Sequence, residues 1–162
     1  MSRAFVDEDA QPIGVTVLPD RRISPHPNLV TRRGLSAIER AVAEHARGLA
    51  RATAAEDAEG VSRASRELRY WNARHATAQL AEPPPSASSV VFGVAVTGAG
   101  EDGSERTFRI VGEDEADPAQ GRIAWTTPVA RALLGGEPGE TRQLPTGAFE
   151  ILAIDATPEP AG

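Results

Sequence analysis

The segment from Arg51 to Ser65, RATAAEDAEGVSRAS, gathers Glu56, Asp57 and Glu59 within four residues. Carboxylates clustered in this way between two helical segments are either solvated surface or oxygen ligands offered to a hard cation. They are the tentative tip carboxylates of the chain. The three histidines, His26, His45 and His75, are spread along the sequence. In a hairpin that turns near residue 57, His45 falls opposite Tyr70 and Trp71 rather than opposite His75, which is poor geometry for a two-histidine metal site. No metal is expected to be stably bound. The chain has no cysteine, which removes disulfides, thiolate ligands and thiol nucleophiles. No Ser/His/Asp order and no glycine-rich phosphate loop stand out, so no catalytic residue of its own is expected. Arg63, Arg66, Arg69 and Arg74 follow the turn. Arg66 and Arg69 are helical neighbours with Arg63 a turn before, so Arg63, Arg66 and Arg69 form a basic strip. It is either a solvated face or a contact for RNA or an acidic protein groove.

These residues need elements to hold them. Leu35, Ile38, Val42, His45 and Leu49 recur at alternating steps of three and four, and Val61, Ala64, Leu68, Trp71, His75 and Ala78 repeat that spacing. Two heptad seams joined by a short turn predict an antiparallel coiled-coil hairpin. At about twenty residues per helix it reaches roughly 30 Å. Thr31 is the expected N-cap, with Ser36 and Glu39 forming a capping box if the helix begins later. Pro83, Pro84 and Pro85 are expected to end the second helix, because proline lacks the donor and clashes in a helix interior.

Upstream, residues 1–28 hold Pro12, Pro19, Pro25 and Pro27 among few large apolar side chains, which predicts an extended or disordered arm. Only Ile13 to Leu18 reads as a short strand. Downstream the period changes from helical to β. VVFGVAVTG and ERTFRIVG are joined by a turn containing Asp102-Gly103, and RIAWTT reads as a third strand. In TTPVARALLGG, Thr127 caps a short helix, Pro128 fits its first turn and Gly135-Gly136 stops it. GETRQL and GAFEILAID supply two more strands. The expected fold class is α+β: arm 1–28, hairpin 29–82, linker 83–89, an antiparallel β domain with one short helix at 90–156, and a tail 157–162.

Charge is unevenly spread. Residues 29–85 carry nine arginines against seven acids, whereas residues 86–162 carry five against twelve. An acidic C-terminal half argues against unaided binding of duplex phosphates and for a protein partner. No apolar run approaches membrane-spanning length, and the first residues lack the apolar stretch of a signal peptide. A soluble cytoplasmic protein with no membrane partner is expected.

The most specific text is FRIVGEDEADPAQGRIAWTTPVARALLGGEPGE, residues 108–140. It resembles the C-terminal domain of the bacterial GreA/GreB transcription elongation factor family. There the run reads much like R-I-V-G-x-D-E-A-D, then I-S-x-x-S-P-I-A-R-A-L-L-G-x-x-x-G-D. VVFG at 90–93 looks like that family's first strand after the linker, and NLVTRRGL at 28–35 like its helix start. The resemblance spans residues 29–155 and is weaker in the hairpin. It implies a coiled coil on an FKBP-like β domain that docks at the rim of the RNA polymerase secondary channel. The coiled coil threads inside, and its tip carboxylates help hold a second Mg²⁺ in the polymerase active centre. The cation would be shared, with no cofactor of the chain's own. Asp114, Glu115, Asp117, Thr127, Pro128 and Arg131 match the segments expected at the docking surface.

The tip departs from the pattern. The family's G-D-L-x-E-N-A-E-Y is replaced by EDAEGVSRASRELRY, with Asp57 and Glu59 two apart, so that they share no helix face. The hairpin also looks shorter than in the cleavage factors by about two turns per arm, roughly 10 Å of reach. The reading is a polymerase-binding factor that modulates elongation without strong cleavage stimulation, acts as a monomer, and meets nascent RNA or DNA only inside the polymerase complex. The alternative is an active cleavage factor using Glu56, Asp57 and Glu59. A distant alternative is a prolyl isomerase, whose pocket would have to come from Phe92, Phe108, Trp125 and Phe149.

Overall fold

A computed structural model describes residues 17–162. Most of the Ile13–Leu18 strand reading lies outside them; Val17 and Leu18 are in no strand. After β1 (Leu29–Val30), α1 runs from Arg32 to Ala54 and α2 from Ala58 to Thr77. α1 starts where Thr31 accepts from the Gly34 amide at 3.0 Å, so Ser36 and Glu39 are not its cap. A two-helix hairpin covers only one side of each seam. Ile38 alone among the predicted seam residues is fully buried, and Leu35, Val42, Leu49, Leu68 and Trp71 are half-buried. His75 departs from the predicted seam. Its side chain is exposed, with Nε2 3.8 Å from Glu39, while its neighbour Arg74 is the buried residue of α2.

The proline triplet does not end α2. The helix stops at Thr77 because Gln79–Leu80 (β2) pair in parallel with β1. The Gln79 amide donates to Asn28 O and the Ala81 amide to Val30 O. This ladder ties the two ends of the hairpin together before the prolines are reached. Residues 81–94 then lead without helix or strand into the sheet.

The sheet holds β3 (Ala95–Gly100), β4 (Glu105–Val111), β5 (Arg122–Ala124), β6 (Thr141–Leu144) and β7 (Gly147–Asp155), in the order β5-β4-β3-β7-β6. β3, β4, β7 and β6 are antiparallel neighbours, and β5 joins the edge parallel to β4. A parallel neighbour needs a crossover rather than a hairpin. Residues 112–121 provide it with two single-turn 3₁₀ segments, Glu113–Glu115 and Pro118–Gln120. The β3–β4 turn closes as its Asp102-Gly103 pair predicts, with Gly103 at φ 74°. α3 (Pro128–Leu133) is capped by Thr127, which accepts from the Ala130 amide. Its Leu133 and Ala130 bury into the core formed by Val94, Val96, Ile110, Phe149 and Ile151.

Candidate functional site

The hairpin turn is built as a helix C-terminal motif. The Asp57 amide donates to Ala52 O and the Glu56 amide to Thr53 O, the paired bonds of a Schellman stop. The left-handed residue is Glu56, at φ 55°, where glycine avoids the Cβ penalty of about 1 kcal/mol. Asp57 is the N-cap of α2 and accepts from the Gly60 amide at 2.9 Å, so its carboxylate is turned over the first turn. Glu59 pairs with Arg63 at 3.2 Å, and both side chains are exposed. The three carboxylates share the apex, with Asp57 serving as a cap and Glu59 as the partner of Arg63. Among the described residues, no group of three or more His, Asp or Glu side chains is placed to hold a metal ion.

The strongest polar constellation lies at the other end of the hairpin, where α2 meets the crossover. Arg74 is 2 % exposed, and its Nε donates to Asp114 Oδ2 at 2.5 Å. The Tyr70 hydroxyl, one helical turn earlier, donates to Asp114 Oδ1 at 2.5 Å. Glu113 closes the group, with Oε2 3.8 Å from Arg74. Beside it, Glu115 is 4 % exposed and takes four donors. These are the Thr31 amide and hydroxyl, the Gly112 amide and Arg122 Nη2. The first turn of α1 packs directly on this carboxylate, because a Cβ on Gly34 would sit 2.2 Å from Glu115 Cδ. Glu159 in the tail completes the pairing of Arg122 at 2.7 Å.

Asp114 and Glu115 both join the helices to the sheet domain. Asp117 is half-buried, and its backbone bridges to Arg122. Thr127 is occupied as a cap, while Pro128 and Arg131 are exposed on α3. The four aromatics weighed for an isomerase pocket all belong to or pack against the core of the sheet domain. Phe108 and Phe149 pack on each other with centroids 5.6 Å apart, and Trp125 sits edge-on to His26 at 6.0 Å.

The basic strip is not free either. Residues 17–28 run without regular structure along α2. Arg66 Nε donates to Pro19 O and Arg69 Nε to Asp20 Oδ1, both at 2.7 Å. Arg21 pairs with Glu67 at 2.6 Å and lies over the Tyr70 ring, 3.6 Å from its centroid. Nearer the sheet domain, the Ser24 hydroxyl donates to Glu113 and Asn28 Nδ2 to Arg74 O.

Tyr70, the chain's single tyrosine, reports on this junction. Burial and the Asp114 carboxylate beneath its hydroxyl push its pKa up to about 12, against the opposing pull of Arg74 and Arg21. The folded value lies above the unfolded one near 10, so its contribution is complete below pH ~10 and is lost as pH rises through 12. A near-ultraviolet phenolate titration should show one midpoint near 12 in the folded protein and near 10 in denaturant. Asp114→Asn should move the folded midpoint part of the way back.

The family model "Transcription elongation factor, GreA/GreB, C-term" matches residues 85–156. Residues 85–156, somewhat under half of the chain, are thus similar to the C-terminal domain of the GreA/GreB transcription elongation factors. The GreA of Hyphomonas neptunium is 47 % identical over 72 residues, which is 41 % of this chain and 46 % of that protein. The GreA of Alkalilimnicola ehrlichii is 44 % identical over 83 residues, or 48 % and 52 % of the two chains. The chain thus spans about half the length of the curated relatives it matches. Among solved structures, Gfh1 of Thermus thermophilus aligns with 80 % of this chain and 99 % of its own at 20 % identity and a TM-score of 0.39. A GreA/GreB factor from Nitrosomonas europaea aligns with 78 % and 98 % at 19 % identity and a TM-score of 0.37. The GreA/GreB match covers the sheet domain and stops short of the hairpin.

Proposed function

We propose that this chain is a cytoplasmic, monomeric transcription factor that binds RNA polymerase through its GreA/GreB domain. It directs the hairpin into the secondary channel and modulates elongation without strongly stimulating RNA cleavage. The family match over residues 85–156 carries the polymerase assignment. Of the residues expected at the docking surface, Pro128 and Arg131 on α3 are the exposed ones. The tip supports the weak-cleavage part. Asp57 serves as a cap and Glu59 as the partner of Arg63, so a cation at the tip would compete with a cap worth about 1 kcal/mol and a weak surface pair.

One observation favours the alternative of an active cleavage factor. Glu56 keeps a carboxylate at a left-handed apex position, and strained residues of this kind cluster at functional sites. A transcript-cleavage assay on a backtracked elongation complex with the cognate polymerase and Mg²⁺ separates the two readings. The informative variant combines Glu56→Gly, Asp57→Ser and Glu59→Ala, which strips the carboxylates and keeps both the turn and the cap. We expect the wild-type chain to leave cleavage unaccelerated and to suppress a competing Gre factor, and the stripped variant to behave the same. Acceleration by the wild type that the variant loses would establish the cleavage reading. An undisturbed competitor would remove the channel assignment.

A further inference from the structure

We propose that the N-terminal arm is a displaceable cover, which holds in cis the anion positions of a polyanion-binding strip on α2. The strip is Arg63, Arg66 and Arg69, spaced three apart along one side of the helix. Two of the three arginines are spent on arm oxygens. The Pro19 carbonyl accepts from Arg66 and the Asp20 carboxylate from Arg69. Two oxygen acceptors from adjacent residues, laid on guanidinium groups one helical turn apart, occupy positions that successive phosphates of an extended strand would take. Arg21 anchors this stretch by its bond to Glu67 and by stacking over Tyr70, and its guanidinium carbon is 5.6 Å from the centre of the Trp71 ring. Lifting residues 18–21 would uncover guanidinium donors beside an aromatic face, the combination that binds flexible single strands.

The cover is built to be removable. Asp20 is mostly exposed, and Arg21, Arg66 and Arg69 are between one third and one half exposed, so each contact is of the weak, salt-screened kind. Behind it, the Asn28 amide bonded to the buried end of α2 and the Ser24 bond to Glu113 fix the arm's base. Residues 18–21 can therefore leave the strip while the arm stays attached at its base. The cover stands on the chain's own contacts and is testable without polymerase, so its failure and that of the proposed function are distinguishable.

Arg21→Ala gives the deciding experiment, because it removes a positive charge. Simple electrostatics predicts weaker binding to any polyanion, whereas loss of the anchor predicts stronger binding. Binding of the full chain to a fluorescent single-stranded oligouridylate at low salt should tighten at least tenfold in Arg21→Ala. The salt slope should steepen by one to two phosphate contacts, each worth about 0.7 in log–log units. Adding Arg66→Ala and Arg69→Ala to that variant should abolish the gain. Heparin serves as a second probe. Tightening for both ligands assigns a general polyanion strip, and tightening for the oligonucleotide alone assigns base stacking as well. In a Trp125→Phe background, Trp71 emission should shift on Arg21→Ala without ligand, which reports the lifted arm directly. Unchanged or weaker binding in Arg21→Ala overturns the cover, as does a gain that survives removal of Arg66 and Arg69.

Discussion

Replacing Arg74 by alanine should destabilise the chain by about 3–5 kcal/mol, the loss expected when one partner of a buried ion pair is deleted. Arg74 is 2 % and Asp114 9 % exposed, so neither regains water when the other is removed. The deletion leaves Asp114 with the Tyr70 hydroxyl as its remaining side-chain donor, and leaves Glu113 without the guanidinium 3.8 Å away. Denaturant unfolding followed by circular dichroism measures the loss. A companion variant separates the charge from the packing. Arg74→Met with Asp114→Leu removes both charges and should recover part of the stability, since well-packed apolar pairs often replace buried ion pairs without loss, while Glu113 and the Tyr70 hydroxyl still lose their partners. If the single substitution cost less than about 1 kcal/mol, the hairpin would not be anchored through Arg74.

Glu115→Gln should cost about 3 kcal/mol although the side chain barely changes size. Glu115 Oε2 accepts from the Thr31 and Gly112 amides, and Oε1 accepts from the Thr31 hydroxyl and Arg122. An amide can present an oxygen to only one of these sides and must turn its NH₂ towards donors on the other. The penalty is that of buried donors left unpaired, about 1–3 kcal/mol each. Glu115→Ala removes the oxygens and leaves a cavity, so it should be at least as damaging. Equal stability of Glu115→Gln and wild type in urea would show that the carboxylate is not what holds α1 to the crossover.

Both substitutions fall on residues whose importance the sequence masks. The pattern of apolar spacing reveals the hairpin, the Thr31 cap and the alternation of the strands, because those depend on near neighbours in the chain. It also reveals the apex, where Glu56, Asp57 and Glu59 come together. What it cannot reveal depends on contacts across the fold. Arg74 reads as a fourth member of a solvated strip, yet the sheet domain covers it. His75 reads as seam, yet α2 turns its last residues towards the crossover. Asp114 and Glu115 lie in the run most similar to the family and read as docking surface, yet their carboxylates face inward. Asp114 accepts a hydroxyl and a guanidinium from α2, and Glu115 takes amides at the base of α1. The i,i+4 pair of Tyr70 and Arg74 is the available clue, since two long side chains on one face of a helix can grip a single carboxylate. The arm's binding to α2 is equally hidden. Its prolines speak of extended backbone, and the matching of Asp20 and Arg21 to residues 46 to 49 positions away follows no local rule.

The way the hairpin joins the sheet domain also bears on the order of assembly. α1 and α2 meet through a turn of three residues, whereas the bonds that fasten them and the Thr31 cap to the crossover span 40 to 84 positions, and that of Arg33 to the tail spans 126. Local contacts form quickly, and long-range ones must wait for large loops to close. The hairpin should therefore be present in the folding transition state while its attachment is still missing. Weakening the attachment should then leave the folding limb of a chevron plot nearly unchanged and steepen the loss on the unfolding side. Arg74 and Glu115 would act as latches that set the lifetime of the assembled protein, with little influence on how fast it is reached.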